Sequence, residues 1–514
     1  MIKLRDKIVV WEQKDKKGQL IMSIQGKTAY HFKKMIMPAL LIIGICAFLA
    51  IPPLLSVSSG SFYTKCKYIA YAMKKGYLPY KDLYDHTGIL FYFINCFGIK
   101  INYDLGIIWI QIILMAIGII FSYRTVSLFT DDKIAFLAVM TGFVLNAGLY
   151  TGEDYTVAMI SACLFYGISF LKGRRMKTAD CFFYGVCLAC TLFLSIGMGI
   201  LLIAAGVLFG TVKILHEKKL RFSGSCMMIG LLGSAVITVP VLGYLFVHNL
   251  FELWFEMVVL YALNGLQLFS GAALLSGMEA PFAYIMFVAV VYVIYLLLMN
   301  HEADYKDVIG MCVSMLAIML LIGIRETYPF IAVSLIPLTC LLYGKVFEYL
   351  IDKSKNLCVS GGTYLMAAVM VALNLWISAD YLYTAAGEHG FWKASEADRE
   401  LISDIRNLIQ TVDELNGRIS VFGDWNYIYA KTRKISDSKY FYLFPLIERE
   451  PEVLEEYLQE LLEKETFLVI IDDQDTYQDP FYKDLRQAFR QWLETHQYYS
   501  VDLEKKYYFK YYEE

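Results

Sequence analysis

The sequence predicts a polytopic α-helical membrane protein of about 11 transmembrane helices, followed by a small C-terminal extracytoplasmic α/β domain. Three observations carry this. Uncharged apolar runs recur through residues 35–379, most of them about twenty residues long and so able to cross a ~30 Å hydrocarbon core. The chain is 58% hydrophobic and only 18% charged. The charge is also segregated: residues 380–514 carry a net −12 and the preceding part +9, within an overall −3.

Residues 1–34 hold nine Lys and Arg, and short basic segments mark the cytoplasmic side, so this N-terminus is placed inside. The first apolar run starts only at Met35, late for a cleaved signal peptide. LKGRRMK (171–177) and KILHEKKLR (213–221) are also basic and also assigned inside. Between them lie 32 uncharged residues, Cys181–Val212. A single helix of that length would run roughly 48 Å and put its basic flanks on opposite sides. Folding back at SIGMG (195–199) restores both flanks to the inside. The passes are then 35–56, 105–122, 134–150, 155–171, 181–195, 198–212, 224–247, 281–299, 308–324, 327–344 and 360–379. The odd count places the tail outside, together with outer loops 57–104 and 248–280, YTGED (150–154) and the Arg325–Glu326 turn.

The first outer loop is structured. Tyr63–Lys75 has helical spacing of apolar residues, with Gly76 as a natural C-cap. Ile89–Ile99 and Phe251–Leu263 are apolar but too short to span, and read as helices lying at the interface. In the tail, Glu396–Asn416, Pro451–Lys464 and Asp479–His496 read as helices. RISVFG (418–423), TFLVIIDD (466–473), YYSVDL (498–503) and YYFKYY (507–512) read as strands. The resulting domains are 1–34, a cytoplasmic basic N-terminus; 35–379, the transmembrane domain; and 380–514, the extracytoplasmic α/β domain.

Most of the eleven cysteines fall in or beside apolar runs and the tail has none, so buried small hydrophobes explain them. No Walker loop, HExxH or G-x-G-x-x-G occurs, which leaves ATP-driven transport and Rossmann chemistry without sequence support. Nothing marks a nucleic-acid partner. Lys65, Lys67, Lys74, Lys75 and Lys81 lie outside, against the positive-inside trend, and an anionic ligand or anionic lipid headgroups would account for them.

The segment KKGYLPYKDLYDHTGILFYFIN (74–95) resembles the GYxPYxDxxDHxGPxxYxIN signature of bacterial GT-C membrane glycosyltransferases of the dolichyl-phosphate-mannose–protein mannosyltransferase-like group. YTGEDYTVAM and RETYPFIAVSLIP (325–337) are weaker echoes. The resemblance implies a GT-C-like transmembrane domain at 35–379 and transfer of a sugar from a polyprenyl-phosphate donor to a cell-envelope acceptor at the outer face of a bacterial plasma membrane. The partners are then a polyprenyl-phosphate-linked sugar, membrane lipid and that acceptor. No cofactor is required by a motif, although a divalent metal is compatible with the chemistry.

Such transfer needs a carboxylate to take the acceptor proton and cations to hold the departing lipid phosphate. Asp85, Asp82, Glu153 and Asp154 are the catalytic candidates; Tyr80, Lys81, His86, Lys74 and Arg325 are the substrate-binding candidates. The group's usual acid just after the first pass has no counterpart in SVSSGSFYTKCK (56–67), and Ile89 stands where the signature has Pro. Two other classes compete: a protein that binds lipid-linked sugars or envelope partners without turnover, and a flippase for lipid-linked sugars. A capping role for Asp82 and Asp85, at the start of the helix near Ile89, competes with catalysis at both.

Overall fold

The computed structural model describes residues 38–46, 62–103, 105–145, 155–171, 177–200, 202–203, 224–264, 266–268, 322–324, 418–424, 426–447, 450–471, 480–500 and 506–510, with scattered helical residues in 336–348 and 403–410. The basic N-terminus, the passes expected at 281–299 and 360–379, and Glu153, Asp154 and Arg325 lie outside the described residues.

Helix α1 (Phe62–Lys74) ends at Gly76, whose φ of +98° is the left-handed conformation expected after a helix C-terminus. Helix α2 (Ile89–Ile101) follows the motif loop, then α3 (Gly106–Val126), α4 (Asp132–Leu145), α5 (Tyr155–Leu171), α6 (Thr178–Leu194) and α7 (Gly224–Val247). Among the described residues, two helices are long and apolar enough to cross a membrane, Gly106–Val126 and Met227–Val247; α2, α5 and α6 are apolar but shorter.

Small residues let these helices approach closely, as expected where lipid removes the hydrophobic drive for helix pairing. A Cβ added at Gly185 would sit 1.9 Å from the Gly230 carbonyl oxygen, and one at Gly233 would sit 2.1 Å from that of Phe182, so α6 and α7 touch backbone to backbone. Ser234 Oγ donates to the Gly185 carbonyl at 3.0 Å across the same seam. The opposite face of α7 leaves Met227, Leu231, Val239 and Phe246 exposed, a surface suited to lipid. At SIGMG the helix breaks: α6 ends at Leu194, Ser195 is extended, and a Cβ at Gly199 would lie 2.6 Å from the Leu192 Cα, so the chain turns here; most of the pass expected at 198–212 lies outside the described residues.

The segment from 251 to 264, expected as an interfacial helix, is helical, with a π-helical turn at Phe255–Leu260. It runs into β1 (Leu266–Leu268), which pairs antiparallel with β2 (Ile322–Ile324). Residues 322–324 are therefore strand, whereas the apolar run 308–324 predicts helix to its end. Periodicity cannot separate the two for so short a stretch, and Ile-Gly-Ile suits a ladder.

In the tail, β3 (Ile419–Phe422) pairs parallel with β4 (Leu468–Ile471); β6 (Tyr507–Lys510) pairs antiparallel with β4, and β5 (Tyr498–Ser500) with β6. The order is β3-β4-β6-β5. The central strand β4 reads as an unbroken apolar run, LVII, because it is buried along its whole length; the edge strand β3 is equally buried and carries Ser420, whose hydroxyl lies 3.0 Å from that of Tyr457. Among the described residues, the sheet is joined by α8 (Asn426–Thr432), α9 (Leu443–Ile447), α10 (Val453–Glu463) and α11 (Pro480–Thr495), with further helical residues in 403–410. Phe422 stacks on Phe489 of α11 with ring centroids 3.7 Å apart, and meets Phe444 of α9 and Tyr457 of α10. On the other side α8 lies against α1, with Tyr429 on Tyr68. The tail is thus seated on the segment from Phe62 to Ile101, and both share one apolar core.

Candidate functional site

The motif loop is fixed from below by Gly88. A Cβ there would stand 2.2 Å from the Phe193 carbonyl oxygen and 2.5 Å from that of Leu194, so only glycine lets the loop rest on the end of α6. From above it is held by the tail: the Tyr84 backbone N–H donates to the Lys439 carbonyl at 3.0 Å, and the Ser436 N–H to the Tyr68 hydroxyl at 3.0 Å.

Asp85 lies at the centre, 2% exposed. Its Oδ1 accepts from Lys65 Nζ at 3.0 Å, the His86 backbone N–H at 3.0 Å and the Tyr442 hydroxyl at 2.7 Å. Its Oδ2 accepts from the Thr87 hydroxyl at 2.8 Å and the Tyr92 hydroxyl at 2.9 Å. Burial alone would push the Asp85 carboxyl up, but the Lys65 ammonium and the hydroxyls of Tyr442 and Thr87 outweigh it and hold it below the usual carboxylate range. Burial, with the Asp85 charge behind it, pushes the Tyr92 phenol well up, so Tyr92 stays a donor. The Lys65 ammonium also sits 4.1 Å from the centroid of the Tyr442 ring.

His86 is a junction of three segments. Its Nδ1 lies 2.8 Å from the Met257 carbonyl in the π turn, and a carbonyl only accepts, so that nitrogen carries a proton. Its Nε2 lies within ion-pair distance, 2.9 Å, of Glu450 Oε1 in the tail. The ring stacks on Tyr261, with centroids 3.6 Å apart. Glu450 also accepts from the Tyr84 hydroxyl at 2.5 Å.

The other candidates are distributed differently. Asp82 Oδ2 accepts from the Leu78 backbone N–H at 2.7 Å, closing a turn away from Asp85's ring of donors. Tyr80 is buried at a positive φ of 68°; its hydroxyl donates to the Thr87 carbonyl at 2.8 Å and its ring meets that of Tyr92 edge-on. It shapes the wall around Asp85. Lys74 and Lys81 are exposed. Tyr155, which follows Asp154, bonds Asn95 of α2 at 2.6 Å. Among the described residues no group of three or more His, Cys, Asp or Glu converges as a metal site would.

Sequence reasoning missed Lys65 as the counter-ion of Asp85, and Thr87, Tyr92, Tyr442 and Glu450 altogether. Lys65 shows only as one of several outer cations. Tyr442 and Glu450 lie 357 and 366 positions from their partners, with no local pattern to reveal them.

This arrangement, an acid–cation centre on the motif loop between a helical membrane domain and an α/β tail, is that of a membrane protein. The fold is shared with ArnT from Cupriavidus metallidurans. The ArnT structure bound to undecaprenyl phosphate matches with a TM-score of 0.54 at 13% identity, over 91% of this chain and 97% of that one. The apo form matches with a TM-score of 0.51 at 13% identity over the same shares. The Archaeoglobus fulgidus oligosaccharyltransferase AglB, in complex with an inhibitory peptide and a dolichol-phosphate, matches with a TM-score of 0.46 at 12% identity over 91% of this chain and 74% of that one. No curated protein matches the sequence. Residues 25–381 match the family described as the putative competence-induced protein Ccs4 N-terminal domain, and the chain belongs to that family.

Proposed function

We propose that the chain is a membrane glycosyltransferase. It takes a sugar from a polyprenyl-phosphate carrier and passes it to a hydroxyl-bearing cell-envelope acceptor on the outer face of a bacterial plasma membrane, with the N-terminus cytoplasmic and the tail outside. Kinship with the mannosyltransferase-like group is part of this reading. The observation that carries it is the fold held over nearly the full length of both chains with a protein solved bound to undecaprenyl phosphate, combined with the acid–cation pair of the motif loop.

In the proposed reaction the acceptor oxygen bonds to the sugar C1 while the C1–O bond to phosphate breaks. The acceptor proton passes to a carboxylate, and the electron pair leaves with the lipid phosphate. Asp85 is the carboxylate of first choice, with Glu153 and Asp154 as further candidates; Asp82 holds its turn. Lys65, Lys74, Lys81, His86 and Arg325 supply positive charge or hydrogen bonds towards the phosphate.

The test is release of free polyprenyl phosphate by the purified chain in lipid, across a panel of radiolabelled polyprenyl-phosphate sugars. Release that fails in Asp85→Asn or Glu153→Gln supports the reading and assigns the acid; release untouched by either removes both from the chemistry. A second reading, binding of lipid-linked sugars without turnover, is favoured by the enclosure of Asp85, a carboxylate with five donors and almost no exposure. Carrier binding with no release across the panel selects it.

A further inference from the structure

Helices α1 and α2 both start at the Asp85 centre, through Lys65 and Tyr92, and both end on cations, with Lys74 and Lys100 in their last turns. Both ammonium groups bear on one thiol, that of Cys96, which puts them on one side of the helix pair. Neither helix contains an acidic residue.

Tyr103, two residues beyond α2, gathers more charge. The Lys67 ammonium lies 4.3 Å and the Arg433 guanidinium carbon 4.4 Å from its ring centroid, and Tyr71 of α1 meets the ring edge-on. Lys75 in turn lies 5.7 Å from the Tyr71 ring centroid. Among the described residues no carboxylate pairs with Lys74, Lys75, Lys100 or Arg433. Even with Asp104, outside the described residues, counted against them, these five cations leave a net +4. Helix ends account for Lys74 and Lys100 singly. They do not account for Arg433, which reaches Tyr103 from the tail at a positive φ of 59°.

Beside the cations the surface is apolar. Phe97 and Ile101 flank Lys100 and are exposed, and Leu105, Trp109 and Ile113 continue along the exposed side of α3, a helix long enough to span. The corner is held close: a Cβ at Gly106 would stand 1.9 Å from the Gly98 carbonyl oxygen, and the Asn102 side chain accepts from the Leu105 N–H at 3.0 Å. An aromatic and basic rim above an apolar helix face is what a membrane surface meets.

We propose that the corner between α2 and α3 binds an anionic glycerophospholipid of the bilayer, its phosphate between Lys100 and Arg433 and its acyl chains along Trp109 and Ile113. The headgroup ties the tail to the membrane helices, because Arg433 belongs to one and Lys100 to the other. Roughly 12 Å of helix, Tyr92 to Lys100, separates this corner from the Asp85 centre. The site does not depend on the glycosyl-transfer reading; Lys74, a candidate for the carrier phosphate, borders it.

The full chain in detergent is titrated with phosphatidylglycerol, phosphatidylcholine and undecaprenyl phosphate, and bound lipid is counted by native mass spectrometry. Phosphatidylglycerol should bind more tightly than phosphatidylcholine. Its affinity should fall about five-fold in Lys100→Gln and in Arg433→Gln, and about 25-fold in the double variant, as expected for one surface cation each. Arg433→Lys, which keeps the charge, should hold the affinity, as should Lys483→Gln on α11, which removes an exposed cation elsewhere. Equal affinity for the two glycerophospholipids, or phosphatidylglycerol binding untouched by both glutamine variants, overturns the site. A loss in Lys483→Gln as large as in Lys100→Gln overturns it as well, since net charge alone would then explain the binding. Undecaprenyl phosphate weakened in the glutamine variants while phosphatidylglycerol is not also overturns it and gives the corner to the carrier.

Discussion

Replacing Asp85 with Asn keeps the shape and deletes the charge. At Oδ2 the loss is small, because the Thr87 and Tyr92 hydroxyls can turn and accept from an amide NH2 placed there. At Oδ1 the Lys65 ammonium and the His86 backbone N–H can only donate, and the amide oxygen still receives them. What disappears is the charge opposite Lys65, whose side chain is only 15% exposed. Breaking a buried pair from one side costs about 3–5 kcal/mol, and the partial exposure of Lys65 puts the expected loss at the lower end, about 3 kcal/mol. Because the Asp85 carboxyl is held below its unfolded value of about 3.9, its stabilisation is present above that pH and is lost as pH falls towards the folded value. The stability gap between wild type and Asp85→Asn should therefore be largest at pH 6–8 and shrink below about pH 4. Denaturant unfolding of the motif segment and tail in nanodiscs, followed by limited proteolysis at several pH values, measures it. A gap below about 0.5 kcal/mol at neutral pH, or one that does not narrow in acid, would refute a charge-held centre.

Gly88→Ala should cost about 2–3 kcal/mol and lower the thermal midpoint, because its Cβ meets two backbone carbonyls that cannot yield; a midpoint equal to wild type would show that the loop does not rest on α6. Gly233→Leu should reduce the yield of folded protein by separating α6 from α7, while Gly243→Leu, with nothing within 4 Å of its Cβ, should be near neutral; size-exclusion profiles after extraction compare them. Asp82→Ala should lose about 1 kcal/mol with release of carrier phosphate retained, since Asp82 closes a turn at Leu78. Loss of release without loss of stability would return Asp82 to the chemistry.

The helices were legible where charge bounds an apolar run. Tyr155–Leu171 lies between Asp154 and Lys172, and those charges set its ends to the residue. The four tail strands were legible as short β-branched and aromatic runs between helices. Their order was not, because β6 inserts between β4 and β5, and chain order carries no such information. The motif loop announced Asp85 and His86 as polar residues among aromatics. It could not announce that Asp82 turns inward onto Leu78, nor that Tyr80 takes a positive φ. Nor could it show what Asp85 faces: Lys65 is 20 positions away on another helix, and the residues that cover the centre from above come from the far end of the chain. A buried charge is specified by three-dimensional closure, which local pattern does not encode.

That distance also sets an order of manufacture. The ribosome makes Asp85 357 residues before Tyr442, and Tyr84 366 residues before Glu450. The motif segment is thus made while the piece that roofs it does not yet exist, and its aromatic wall and charge pair stay uncovered through the synthesis of the residues between them. Domains generally form as they emerge, N-terminal first. Here an early part of the chain is completed by a much later one, so a nascent chain halted anywhere before Tyr442 leaves that surface bare, available to chaperones and proteases.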